Sequence, residues 1–219
     1  MFDRPLTRRA WLGGAAVSAL GLAGIKPEPA SATSVSCILT PEQTEGPYYI
    51  AGEKLRRNIT EGRPGTSLLL HAFVVDATTC RPIPQAAVDI WHADAAGTYS
   101  GFGAGASSRT FMRGIQRTNA KGLAVFRTVY PGWYHGRTVH IHVKVHVGGS
   151  VVHTGQLYFR DSLTDAVYRH APYNTRPNRD TRNASDSVYR NGGSKSLLSV
   201  KKNSAGVYVA SIMMGVRRS

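Results

Sequence analysis

The sequence predicts an all-β fold, a β-sandwich of mostly antiparallel strands with long loops and little helix. Three observations carry this reading. Residues 139–147 alternate strictly, with Val139, Ile141, Val143 and Val145 on one face and His140, His142, Lys144 and His146 on the other, as a strand requires. Further short runs rich in β-branched and aromatic residues recur along the chain, with turn formers between them. Only weak helical periodicity is present after residue 32. At 219 residues the chain can bury one good core.

Residues 1–32 read as an export signal. Arg8-Arg9 precede a small, apolar run over 13–25, and Ala30-Ser31-Ala32 offers a small-residue cleavage site. Paired arginines before a Gly/Ala-rich core suggest the twin-arginine type, so a periplasmic or extracellular protein is expected. The apolar run is too short for a stable membrane span after cleavage. Residues 33–65 form an extended arm, rich in turn formers and without periodicity.

Residues 66–219 form the sandwich. Residues 67–75 predict the first strand, and 76–84, with Pro82 and Pro84, a turn region. Residues 87–91 alternate as a second strand. Residues 100–108 are a Gly/Ala/Ser-rich loop, 111–117 a strand or edge segment, and 119–122 a turn. Residues 123–129 make a strand that leads through the Pro131-Gly132 turn into the alternating stretch. Gly148-Gly149 turns the chain into a strand over 151–159. Residues 161–193 are expected to be a long polar loop, with room for a short helix near 161–170. Residues 205–214 close the domain as a strand.

The formal charge is +14. That suits anionic partners, yet the basic residues are scattered, and no helix-turn-helix, zinc-finger or RNP pattern is present. A nucleic-acid function is not expected. Cys37 and Cys80, an even count in an exported chain, are expected to form a disulfide tying the arm to the sheet; the alternative is two free thiols.

His140 and His142 share a strand face about 7 Å apart at Cα and can converge on one metal ion. Zinc or copper with His146 as a third ligand is the first candidate, although His146 lies well along the strand. No Glu or Asp occurs over 143–153, which argues against a cupin-type site. Tyr134, six residues before His140, and Tyr99, after the second strand, are the remaining candidates. Phenolate is a hard, charged oxygen donor suited to Fe(III), and two phenolates with one hydroxide would neutralise that ion.

Five segments now fall into place: residues 44–49 (Thr-Glu-Gly-Pro-Tyr-Tyr), 87–99 (Ala-Val-Asp-Ile-Trp-His-Ala-Asp-Ala-Ala-Gly-Thr-Tyr), 126–134, 136–142 (Gly-Arg-Thr-Val-His-Ile-His) and 155–159 (Gly-Gln-Leu-Tyr-Phe). In kind and order the chain resembles the intradiol ring-cleavage dioxygenases, and within them the protocatechuate 3,4-dioxygenase subunits. The resemblance implies a non-haem Fe(III) enzyme that inserts both atoms of O2 into a catechol-type substrate to give a cis,cis-muconate-type diacid. By the same resemblance Tyr99, Tyr134, His140 and His142 match the four protein ligands. Tyr134 also matches the ligand that leaves to take a substrate proton, Arg137 an arginine beside the substrate, and Gln156 a glutamine near the metal. Trp91, Gly46 and Pro47 match pocket-lining positions. Gly136 stands where protocatechuate enzymes carry Trp, which implies a more open pocket. A homo-oligomer is compatible with the resemblance. Two other readings stand beside it: a non-catalytic β-sandwich binding module, and the copper or zinc site using His146.

Overall fold

The structure is a computed structural model that describes residues 37, 39–103, 105–176 and 178–217. The expected export signal, residues 1–32, lies outside the described residues. Eight strands are present among them: β1 (Ser67–Asp76), β2 (Ala87–Trp91), β3 (Arg113–Arg117), β4 (Leu123–Val129), β5 (His140–Val147), β6 (Ser150–Tyr158), β7 (Ser199–Lys202) and β8 (Tyr208–Val216). They form two four-stranded sheets, ordered β4-β1-β8-β7 and β3-β2-β5-β6. Every pairing is antiparallel except β1 with β8. The expected sandwich is therefore the observed fold.

The alternation of each strand supplies the core. Leu68, Leu70, Ala72 and Val74 of β1, Val88 and Ile90 of β2, Phe126 of β4, Ile141, Val143 and Val145 of β5, and Ala210 and Met214 of β8 belong to one buried cluster. Fully burying an aliphatic side chain of this kind contributes about 1.5–3 kcal/mol, which fixes the register, since a one-residue slip would turn the set outward.

The opposite face of the β3-β2-β5-β6 sheet is not a wet surface. The arm crosses it. Gln43 N–H donates to the Thr154 carbonyl of β6, and Arg56 N–H to Ile115 of β3. The Gln156 amide donates to the Thr44 carbonyl at 2.9 Å, Glu45 pairs with Lys144 of β5, and Lys144 lies 3.7 Å from the Tyr49 ring centroid. His140 and His142, on this covered face, are consequently buried. Cys37 and Cys80 are joined by a disulfide.

The short helix expected near 161–170 is helix α1 (Asp161–Tyr168). Two expectations are corrected. The rest of 161–193 is not an irregular loop: it holds helix α2 (Ser187–Arg190) and single 3-10 turns at Tyr173–Thr175 and Asn183–Ser185. Ion pairs knit them together, with Arg179 on Asp161 at 2.7 Å and on Asp165 at 3.0 Å. The closing strand is also preceded by β7, a four-residue edge strand that pairs with β8.

Candidate metal centre

Two turns deliver the two tyrosines. After β2 the chain turns at Asp94, whose side chain accepts from the Ala96 and Thr98 N–H groups at 2.9 and 3.0 Å; this small loop ends at Tyr99. After β4, Pro131-Gly132 turns the chain towards Tyr134. The Gly132 N–H donates to the Asp94 carbonyl at 2.9 Å, so one aspartate clasps both turns. A side chain at Gly132 would collide with the carbonyl oxygens of Ala95 and Asp94, which is why glycine stands there.

His140 and His142 come from the start of β5. The His140 Nδ1 lies 2.6 Å from the Thr138 carbonyl. A carbonyl only accepts, so Nδ1 carries the proton and Nε2 presents a lone pair. That Nε2 lies 3.0 Å from His142 Nε2 and 3.2 Å from the Tyr134 hydroxyl. The Tyr99 ring packs edge-on against Tyr134 at 5.5 Å and tilted to His142 at 6.0 Å. The Tyr99 hydroxyl is buried without a partner in good hydrogen-bonding geometry, although the Tyr134 phenol is close enough to raise its pKa.

Burial sets the charge state. It pushes the His140 imidazole down to about 3 and His142 well below its ordinary value, with His140 and Arg137 adding to the effect. Both are neutral near pH 7, the state in which imidazole binds metal. Burial raises the Tyr99 phenol far above the ordinary range. It also raises Tyr134, against the opposing pull of Arg137.

These residues fit a metal ion. Ligand atoms at about 2.1 Å from a common centre and at right angles lie roughly 3.0 Å apart, and the two spacings to His140 Nε2 are of that size. Two neutral imidazoles with two phenols form a mixed nitrogen–oxygen donor set suited to a hard, highly charged ion. His146 is not part of it. It lies beyond a register shift between Val145 and His146, and among the described residues no three or more His, Cys, Asp or Glu side chains gather in metal-binding geometry. The three-histidine site is thereby set aside.

The other expected site residues surround this cluster. Trp91 stacks on His142, nearly parallel at 4.9 Å. Gly46 lies over the same imidazole: a Cβ there would come within 3.2 Å of His142 Cε1, and its φ of +70° favours glycine as well. Pro47 follows it in the arm. Arg137 donates from Nη2 to Gln156 Oε1 at 2.5 Å. Gly136 has open space around it.

Residues not anticipated complete the arrangement. Asp186, wholly buried, accepts from Arg137 Nε and from the Thr138 N–H, both at 2.8 Å. Its other oxygen caps α2 by accepting from the Val188 and Tyr189 N–H groups. Burial would raise this carboxyl, but the Tyr189 and Thr138 amides and Arg137 hold it below the usual range. Burial would likewise lower Arg137, and Tyr134 and Asp186 more than offset it. An aspartate opening a short helix is a readable N-cap; its link to an arginine 49 residues earlier is not. Tyr48 stacks on Tyr99 at 4.3 Å and meets Phe102 and Tyr134 edge-on, an aromatic wall beside the cluster.

Fold and site together define the class: a β-sandwich with a mixed histidine–tyrosine pocket on an outer sheet face. The dioxygenase family model Dioxygenase_C matches residues 44–169, and the chain belongs to the intradiol ring-cleavage dioxygenase family. An intradiol ring-cleavage dioxygenase from Tetranychus urticae superposes with a TM-score of 0.79 at 36% identity, over 83% of this chain and 95% of that one. The dioxygenase domain of a dioxygenase carbohydrate-binding protein fusion from Streptomyces sp. SirexAA-E superposes with a TM-score of 0.64 at 29% identity, over 83% of this chain and 100% of that one. A catechol 1,2-dioxygenase of Acinetobacter baylyi is 36% identical over 101 residues, 43% of this chain. That match spans only about a third of the relative's own length, 32%.

Proposed function

We propose that the protein is an Fe(III) intradiol dioxygenase that cleaves a catechol-type ring between its two hydroxyl-bearing carbons, adding both atoms of O2 to give a cis,cis-muconate-type diacid. The observation that carries this is the buried convergence of His140 Nε2, His142 Nε2 and the Tyr134 hydroxyl, with Tyr99 beside them.

His140, His142, Tyr99 and Tyr134 would hold the ion. Bound there, Fe(III) supplies the Lewis acidity that draws electron density from a catecholate ring and opens it to O2. The Thr138 carbonyl fixes the His140 tautomer, and Trp91 fixes the plane of His142. Burial keeps the free Tyr134 side chain a neutral phenol; ionised to phenolate when it holds the ion, it would be placed to take a hydroxyl proton from the entering catechol, general-base work at the phenolate oxygen. Arg137, held by Asp186 and Gln156, offers a preorganised positive charge to the oxyanion that develops as the ring loses aromaticity. Tyr48, Tyr99 and Phe102 exclude water from one side. Gly136, where the resembling protocatechuate enzymes carry Trp, supports a pocket with room for a ring substituent.

The test is loading the purified protein with Fe(III) and measuring its visible spectrum and O2 uptake over a panel of catechols. A red-brown tyrosinate charge-transfer band, altered by Tyr134→Phe, together with one O2 consumed per catechol and a muconate-type product, is expected. A colourless protein that consumes no O2 overturns the reading and favours a binding module on the same scaffold.

Export is part of the proposal. The Arg8-Arg9 pair with its apolar run supports it, as does the Cys37–Cys80 disulfide, a bond of oxidising compartments. Cell fractionation tests it: wild type outside the cytoplasm, and Arg8→Lys with Arg9→Lys retained inside.

A further inference from the structure

The metal centre occupies one end of the covered face of the β3-β2-β5-β6 sheet. The other end holds a separate cavity of about 550 Å³. Ala87 and Asp89 of β2, Ile115 and Arg117 of β3 and His146 of β5 line it, with Tyr49 and Ala51 of the arm. The register places these strand positions side by side, Asp89 opposite Ile115 and Ala87 opposite both Arg117 and His146. None of the four candidate metal ligands lines it.

The walls are largely apolar, made by the Tyr49 ring, Ala51, Ala87 and Ile115. Gln85, Arg117 and His146 are polar members of the lining, and Asp89 is its buried carboxyl. It is 1% exposed, and neither of its carboxylate oxygens has a donor in good hydrogen-bonding geometry, although the Tyr49 hydroxyl is near enough to interact with it. A buried carboxyl whose oxygens lack a well-aligned donor is a costly group. Burial pushes its pKa up to about 7, against hydrogen bonding from Tyr49.

The chemistry of the lining selects an occupant. An anion would meet Asp89 at the floor. A cation would enter past Arg117, with Lys144 close enough to act on Asp89 as well. A neutral aromatic ring bearing a hydroxyl suits both halves of the site: its face lies on the apolar walls, and its O–H donates to Asp89, whose nearby donor, the Tyr49 hydroxyl, is imperfectly aligned. We propose that this cavity is a second small-molecule site, distinct from the metal centre, that binds a neutral hydroxyaromatic ring through Asp89.

Position gives the site a second property. Tyr49, its wall, packs on Trp91 at 4.8 Å, and Trp91 stacks on His142. An occupant therefore sits two aromatic contacts from the metal centre and can bias the pose of His142.

Resorcinol is the probe, because its hydroxyls are not adjacent and cannot chelate a metal as a catechol does. Titration calorimetry on the full chain as purified, at pH 7, is expected to show one saturable site. Asp89→Leu removes the acceptors, and Ala51→Trp fills the mouth from an exposed position; each is expected to weaken resorcinol at least tenfold. Both variants should keep the Fe(III) colour of the wild type. Absence of saturable binding, or binding unchanged in both variants, overturns the proposal. Equal displacement of resorcinol by cyclohexane-1,2-diol overturns the aromatic assignment. The measurement needs no turnover, so a failure of ring cleavage leaves it standing.

Discussion

At the scale of single residues, Asp186 does two jobs with two oxygens. One orients Arg137 and the other caps α2. Arg137→Ala is expected to lower kcat roughly 100-fold or more, the size of loss seen when a preorganised donor to a developing oxyanion is removed. Asp186→Ala is expected to lower kcat less than Arg137→Ala and to cost about 3–5 kcal/mol of stability through the lost cap and buried ion pair. Steady-state kinetics and denaturant melts separate the two effects. A kcat unchanged in Asp186→Ala would remove its positioning role.

Buried titrating groups set a pH dependence whose sign can be worked out. Burial lowers His92 and His153 to about 4 each, against roughly 6.5 unfolded. Between those values the unfolded chain binds protons that the folded chain refuses. Their contribution to stability is complete above about pH 6.5 and is lost as pH falls towards 4. Asp89 runs the other way. With a folded pKa of about 7 against roughly 3.9 unfolded, it costs stability as pH rises from about 4 to 7. Two histidines outweigh one aspartate, so the melting temperature is expected to fall from pH 6.5 to 4. Asp89→Asn should steepen that fall and raise the melting temperature at pH 7.5. Melting curves that rise on acidification would contradict this balance.

At the scale of elements, the centre depends on two turns clasped by Asp94. Gly132→Ala drives a methyl group into the Ala95 and Asp94 carbonyls. A loss of about 2–4 kcal/mol is expected, as for other overpacked or strained sites, with weaker Fe(III) uptake, because Tyr134 follows the displaced turn. Thermal melts and iron titration check both. The same elements show what a sequence discloses. The strands at 87–91 and 123–129 were legible to the residue, because each is a short β-branched and aromatic run set off by turn formers. The alternation of β5 also marked His140 and His142 as one pair, whereas Tyr99 and Tyr134 joined them as ligands only through the family resemblance. The β7 strand was not legible, because Ser199–Lys202 is short, largely exposed and without apolar alternation. The short helix α1 was expected near 161–170, but the later helical turns up to 193 were not legible, because long-range pairs such as Arg179 with Asp161 hold this segment, and local periodicity carries no trace of such pairs. Tyr48 escaped notice because its partners, Tyr99 and Tyr134, lie far along the chain.

At the scale of the whole molecule, the arm joins the two sheets. Leu55 bridges to Ile115 on edge strand β3, and Asn58 to Arg127 on edge strand β4, so one short run covers two exposed edges that would otherwise invite pairing with another chain. The far edge, β7, is guarded instead by Lys201 and Lys202. The disulfide anchors the start of the arm and closes a loop between positions 43 apart, worth about 4 kcal/mol in the chain-entropy view. Cys37→Ser with Cys80→Ser is therefore expected to lower the unfolding free energy by an amount of that order, with a matching fall in the denaturant midpoint, read from equilibrium unfolding. An unchanged midpoint would mean that the arm's hydrogen bonds hold it unaided.

The arm is also the first described part of the chain to leave the ribosome, and the last able to find its place. Gln43 hydrogen-bonds to backbone at Val188 and Asn191, 145 and 148 residues later, and Gly215 donates to Thr40 across 175. Contacts so remote in sequence form slowly. Synthesis must be nearly finished before the strand carrying His140 and His142 receives its cover. In refolding, β-sheet circular dichroism should recover before tight iron binding does, and the interval between them is the time during which the pocket stands open to an incoming ion.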